Sequence, residues 1–112
     1  MKVAIVGSRN SDKLKTSDII DHLPTNCSEI VSGGAIGVDA LAKEAAAQLG
    51  LLYQEILPNY SSFGKLAPLK RNVQIVDASD IVIAFWDMKS SGTRYVINLC
   101  MEQHKPIRII PI

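Results

Sequence analysis

Val31-Ser32-Gly33-Gly34-Ala35-Ile36-Gly37-Val38-Asp39 reads as the end of a strand, a glycine-rich turn and the start of a helix. Gly33, Gly34 and Gly37 let the backbone take φ > 0 and approach a ligand closely. The helix that follows would point free N–H groups and its positive end at the turn, a place that favours phosphate. Two other stretches share this character, Gly7-Ser8-Arg9 and Ser91-Gly92-Thr93.

Upstream of the turn, Lys2 to Val6 is a short, continuous apolar run, the pattern of a strand buried on both faces. Asn10-Ser11-Asp12 supplies capping chemistry, and a helix is expected from about Asp12 to Leu23, closed by Pro24. Leu14, Ile19, Ile20 and Leu23 would face inward. Glu29 to Ser32 is the strand that leads into the turn.

Downstream, Ala35 to Leu49 is rich in good helix formers and stops at Gly50. Its face of Leu41, Ala42, Ala45, Ala46 and Leu49 is narrow enough to sit close to a sheet. Leu51 to Leu57 reads as a third strand, near an edge because Gln54 and Glu55 interrupt it. Pro58 to Gly64 reads as a polar loop carrying Tyr60 and Phe63, either a lid for a base or a packing plug. A third helix is expected near Pro68, a residue tolerated in a first turn. Val73 and Val76 give it a buried side, and Arg71 and Asn72 fall where they can reach a pocket. Ile81 to Trp86 is the most hydrophobic strand and should be central. A last helix starts at Gly92-Thr93 and ends at His104-Lys105-Pro106, before a fifth strand over Ile107 to Ile112.

This alternation predicts one α/β domain over residues 1–112, a Rossmann-like three-layer α/β/α fold on a five-stranded parallel sheet. Right-handed crossovers and the placement of the three motifs favour the strand order 3-2-1-4-5. That order sets Gly-Ser-Arg, Ser-Gly-Gly and Ser-Gly-Thr at neighbouring strand ends, where open α/β sheets bind ligands.

The chain has 112 residues and a formal net charge of +1. That balance argues against a strongly electrostatic nucleic-acid binder and leaves room for a local basic patch. Cys27 and Cys100 lack metal spacing and read as two free thiols. No apolar run is long enough for a signal peptide or a membrane span, so a soluble, cytoplasmic protein is expected, with no membrane partner.

The motifs together resemble the SLOG superfamily of Rossmann-like domains, and the small YspA-like SLOG proteins in particular. The resemblance rests on Gly7-Ser8-Arg9, Ser32-Gly33-Gly34-Ala35-Ile36-Gly37-Val38-Asp39, Arg71-Asn72, Ala84-Phe85-Trp86-Asp87 and Ser91-Gly92-Thr93. The superfamily includes DprA (Smf), which binds single-stranded DNA, and the LOG phosphoribohydrolases, which release a base from a nucleoside monophosphate. The resemblance implies a nucleotide-type ligand at the strand C-termini and leaves the activity open. LOG enzymes follow a Pro-Gly-Gly-x-Gly-Thr turn with a glutamate; here Lys89-Ser90-Ser91-Gly92-Thr93-Arg94-Tyr95-Val96 has no carboxylate until Glu102.

The expected ligand-binding residues are Gly7, Ser8, Arg9, Ser32, Gly33, Gly34, Gly37, Asp39, Arg71, Asn72, Trp86, Ser91, Gly92 and Thr93. Hydroxyls and guanidinium groups among them are suitable phosphate donors. Asp39 would hold a ribose hydroxyl or fix the loop, since a carboxylate beside a phosphate is unfavourable. Asp39 and Asp87 are the candidate general bases. No metal site and no cofactor is expected. The leading expectation is a binding or sensing domain for a nucleotide or phosphosugar. The alternatives are a hydrolase acting on nucleotides and a DprA-like single-stranded nucleic-acid binder using Arg9, Lys65, Lys70 and Arg71. A homodimer or higher homo-oligomer is the expected assembly.

Overall fold

A computed structural model describes residues 1–112. Five parallel strands form one sheet in the order β3-β2-β1-β4-β5: β1 Lys2–Gly7, β2 Glu29–Ser32, β3 Leu52–Glu55, β4 Ile81–Trp86 and β5 Ile107–Pro111. The helices are α1 Thr16–His22, α2 Val38–Leu49, α3 Tyr60–Phe63, α4 Ala67–Ala78 and α5 Ser91–Gln103, with a 3₁₀ turn over Gly64–Leu66 between α3 and α4.

The period-2 alternation of the strands divides the core between the two faces. Val3 and Ile5 of β1 with Ile83 and Phe85 of β4 pack against Ile19 of α1 and against Val38, Ala42, Ala45 and Ala46 of α2. Ala4 and Val6 with Val82 and Ala84 pack instead against Ile75 and Val76 of α4 and against Val96, Ile97 and Cys100 of α5. The alanine face of α2 lets that helix approach the sheet closely, as its composition implies. This is the three-layer α/β/α arrangement.

β1 and β4 run in register from Val3↔Ile81 to Gly7↔Phe85, so their C-terminal ends are level. The chain leaves β1 toward β2 on one side and returns to β4 on the other. The crevice between them is the topological switch point of the sheet.

Element starts differ from the sequence expectation for local reasons. The first helix begins at Thr16 rather than Asp12. Leu14 N–H bonds to the Ser11 carbonyl in a turn, and the Asp18 carboxylate takes the Lys15 N–H at 2.8 Å, which fixes the start after Lys15. The second helix begins at Val38 rather than Ala35, because Gly37 has φ 78° and ψ −126° and interrupts helical backbone. The third strand shortens to Leu52–Glu55 at the sheet edge. The expected loop over Pro58 to Gly64 instead contains α3, capped by the Asn59 side chain, which accepts the Ser62 N–H at 3.2 Å. No helix is long and apolar enough to cross a membrane.

Candidate functional site

A cleft of about 660 Å³ opens over the C-terminal ends of β1 and β4. Gly7, Arg9 and Asn10 line it from the β1 end, and Ala35 and Asp39 from the glycine-rich turn. Lys65, Pro68, Arg71 and Asn72 come from the α4 side; Asp87, Ser90, Ser91, Gly92 and Thr93 close it along the β4–α5 connection.

The N-terminal end of α5 supplies an anion-favouring feature. No side chain caps its first turn, and Ser91, Gly92 and Thr93 all face the cleft. Unbonded N–H groups at a helix start favour negative charge. A Cβ on Gly92 would meet nothing within 4 Å. The start of α2 was the expected phosphate pole, and there the groups already have partners. Val38 N–H meets the Ser8 carbonyl at 3.4 Å, and the Asp39 carboxylate lies in the first turn.

Asp39 is 8 % exposed, and its Oδ2 accepts the Ala35 N–H at 3.1 Å. Burial pushes its carboxyl above the ordinary carboxylate range, opposed by the Ala35 N–H, the Ser32 hydroxyl and the Arg71 charge. Its visible work is to fix the loop. Arg71 reaches across to the same turn. Its Nη1 donates to the Gly33 carbonyl at 2.9 Å and its Nε donates to Asn72 Oδ1 at 3.0 Å. Asp87 lies on the opposite wall. Its Oδ1 accepts N–H groups from Ser90 at 2.8 Å and Lys89 at 2.9 Å, and these bonds hold its carboxyl below the ordinary range. A carboxylate so held is a weak proton acceptor near neutrality. Of the two candidate bases, Asp39 therefore has the more suitable shift.

The cleft brings together Gly7, Arg9, Asp39, Arg71, Asn72, Ser91, Gly92 and Thr93 from the expected set. The remaining expected residues sit beneath or beside it. Ser8 is buried; its N–H donates to the Phe85 carbonyl at 3.1 Å and its Oγ accepts the Asp87 N–H at 3.1 Å, which ties the ends of β1 and β4. Ser32 is buried and donates to the Ile5 carbonyl at 3.1 Å. Gly33 lies under Arg71 and Asp39; a Cβ there would stand 2.7 Å from Arg71 Nη1 and 3.0 Å from Asp39 Oδ2. Gly34 faces the other way, toward Glu55 and Leu57. Gly37 packs on the Arg9 backbone. Trp86 turns its ring away from the cleft lining, donates from Nε1 to the Ser90 carbonyl at 3.0 Å and stacks under the Arg94 guanidinium, 5.6 Å from the ring centroid. Short hydroxyls and glycines in such motifs build the turns themselves, and sequence alone does not separate that role from ligand contact.

Asn10 and Ser90 are cleft residues that the motifs did not single out. Each adjoins a motif residue, which was the available signal. Cys27 and Cys100 are free thiols, and burial raises both above the ordinary thiol value. No group of three or more His, Cys, Asp or Glu side chains is placed to hold a metal ion.

Two solved structures share this architecture. DNA processing protein A from Streptococcus pneumoniae is 25% identical with a TM-score of 0.81, over 99% of this chain and 50% of that one. DNA processing protein A from Helicobacter pylori, which has a single-stranded DNA binding mode, is 27% identical with a TM-score of 0.79, over 100% of this chain and 66% of that one. The chain thus spans half the length of the first relative and just under two thirds of the second. No curated protein matches the sequence. The family model described as DNA recombination-mediator protein A matches residues 1–62, which run from β1 through the glycine-rich turn into α3. With more than half of its length matched by that family's model, and its fold similar to two DNA processing proteins, the chain belongs to the DNA recombination-mediator protein A family.

Proposed function

We propose that the cleft binds one nucleotide of a single DNA strand, with its phosphate at the start of α5 and Arg9, Lys65 and Arg71 around it. The observation that carries this reading is the uncapped α5 terminus facing three cations across one cleft. Its volume of about 660 Å³ lies within the roughly 300–1,000 Å³ typical of small-ligand pockets, which suits a single nucleotide. The single-stranded DNA binding mode of the Helicobacter pylori relative supports the strand as the source of that nucleotide. In this reading Asp39 keeps the turn in shape through the Ala35 N–H.

The test is fluorescence anisotropy of a labelled oligo-dT over a range of salt. Neutralising that one phosphate of a single strand gives a slope of log K against log salt of about −0.7. Binding with that slope supports the reading. The same cleft dimensions favour a second reading, a free nucleotide or phosphosugar as the ligand. Thermal stabilisation by nucleoside monophosphates without any oligonucleotide binding would select the second reading over the first. Neither response would remove both.

A further inference from the structure

A second cavity, of about 550 Å³, lies beside the cleft, between the loop after β1, the α1 helix and the end of β5. Buried Phe85 and half-buried Leu14 and Ile110 form its apolar floor, and exposed Pro111 and Ile112 its apolar rim. Its charged lining is Asp12, Asp18 and Asp87 against Lys13 alone, a negative balance in a chain whose net charge is +1. The ion pair of the chain, Lys2 to Glu29 at 3.8 Å, lies elsewhere, so no salt bridge neutralises these carboxylates. Backbone N–H groups fix two of them, Asp18 through Lys15 at 2.8 Å and Asp87 through Ser90 at 2.8 Å. Asp12 is exposed. His22 adds a further acceptor. Its Nδ1 lies 2.7 Å from the Asp18 carbonyl, which can only accept, so Nδ1 carries the proton and the neutral ring offers Nε2 as a lone pair. The ring is seated edge-on against Phe85, with 5.5 Å between centroids.

We propose that this second cavity binds a small organic cation, a protonated amine carried on an apolar body. The volume lies within the roughly 300–1,000 Å³ of small-ligand pockets, and an apolar floor with a few polar groups is their usual make-up. Charge selects the sign of the ligand. An ammonium has donors and no acceptor, and the carboxylates with His22 Nε2 are acceptors, so the two sets match. The apolar floor selects the body, because covering Leu14, Phe85 and Ile110 removes apolar surface from water. A metal ion does not fit, since no three His, Cys, Asp or Glu side chains are placed to hold one. Asn10 and Asp87 line both cavities, so the two sites adjoin. They differ in sign: the cleft carries Arg9, Lys65 and Arg71 against Asp39 and Asp87. The proposal is independent of the nucleotide reading of that cleft.

The test is a titration of the ¹⁵N-labelled chain with three probes, followed by amide chemical shifts. Tryptamine has the amine and the apolar body, indole-3-propionate has the body with the opposite charge, and spermidine has the charge without the ring. Tryptamine is expected to bind saturably and to shift the amides of Leu14, His22, Ile110 and Ile112. Each of the other two should bind at least about fivefold more weakly, the effect of one charge pair at about 4 Å in water or of about one lost apolar methylene or more. Asp12→Asn should keep the wild-type melting temperature, because Asp12 is exposed, and weaken tryptamine by a factor on the order of five. Asp12→Lys should weaken it further. Absence of saturable tryptamine binding at millimolar concentration would overturn the proposal. So would indole-3-propionate or spermidine binding as tightly as tryptamine, or shifts confined to the cleft residues Arg71 and Thr93. A basic peptide that shifts the cavity amides where tryptamine does not would assign the cavity to a partner protein and overturn the proposal as well.

Discussion

The Arg71 guanidinium donates to the Gly33 carbonyl at 2.9 Å, joining α4 to the glycine-rich turn across 38 residues of sequence. Beside this bond lies the Asp39 carboxylate, which holds the other end of the same turn through the Ala35 N–H. The turn is thus braced from both sides by opposite charges, one from each helix layer. A positive group in this place serves the turn first and is also available to an anion in the cleft.

Arg71→Met keeps the bulk of the side chain and removes its donors. A hydrogen bond from a charged group contributes about 1.5–3 kcal/mol, so urea unfolding is expected to show a loss of that order. Arg71→Lys should restore the charge but little of the stability, because an ammonium lacks the planar fork that reaches Gly33 and Asn72 together. Wild-type stability in Arg71→Met would mean the turn holds without α4.

Gly37 is the turn residue least open to substitution. Its φ of 78° disfavours any side chain, and a Cβ would run into the Arg9 carbonyl. Such backbone alone costs roughly 1–3 kcal/mol, and the collision adds to it. Gly37→Ala should therefore lose more stability than Gly50→Ala, where φ is 65° but a Cβ meets nothing within 4 Å. Equal losses in chemical denaturation would contradict this account of the turn.

Asp39 gives a pH signature. Burial raises its carboxyl above the ordinary value of 3.8, so the folded chain holds this proton more tightly than the unfolded chain. The stability it contributes is present below that value and is lost as pH rises through the raised one. Asp39→Asn cannot ionise and keeps an acceptor for the Ala35 N–H. Its stability relative to wild type should increase as pH rises above the ordinary value of 3.8 and through the raised one, as linkage requires. A difference that stays flat with pH, or falls, would show that the carboxyl is not raised. Asp87 has the opposite sign: its depressed carboxyl contributes stability above the ordinary value, lost as pH falls through the lower one.

The sheet was legible because its strands are short apolar runs separated by capping residues, glycines and prolines. Ile81 to Trp86 and Glu29 to Ser32 have the boundaries expected from those signals alone. Strand order followed from asking which three loops carry glycines and hydroxyls. Other features depended on contacts distant in sequence. Nothing local distinguishes Gly34, which faces Glu55 and Leu57, from Gly33, which lies under Arg71. Ser8 and Ser32 look like ligand hydroxyls until their partners, Asp87 N–H and the Ile5 carbonyl, are in place. The start of α2 looked like the phosphate pole because a glycine-rich turn leads into a helix there, and Asp39 was already an unfavourable neighbour for a phosphate. Its bond to Ala35 could be seen only in the folded turn. α3 was missed because its four residues are too few for periodicity, although Asn59 carried a capping signal.

The most direct test of the central claim is strand binding by Gly92→Asp beside wild type and Gly92→Ala. Space around Gly92 is open, so the fold tolerates the new side chain. A carboxylate in a helix's first turn adds about 0.3–1 kcal/mol, so the melting temperature should hold or rise. If phosphate sits at the start of α5, two like charges at close range cost at least about 1 kcal/mol. Oligo-dT affinity should then fall by at least about fivefold while Gly92→Ala binds as wild type does. A stable Gly92→Asp variant that binds with wild-type affinity would contradict the account.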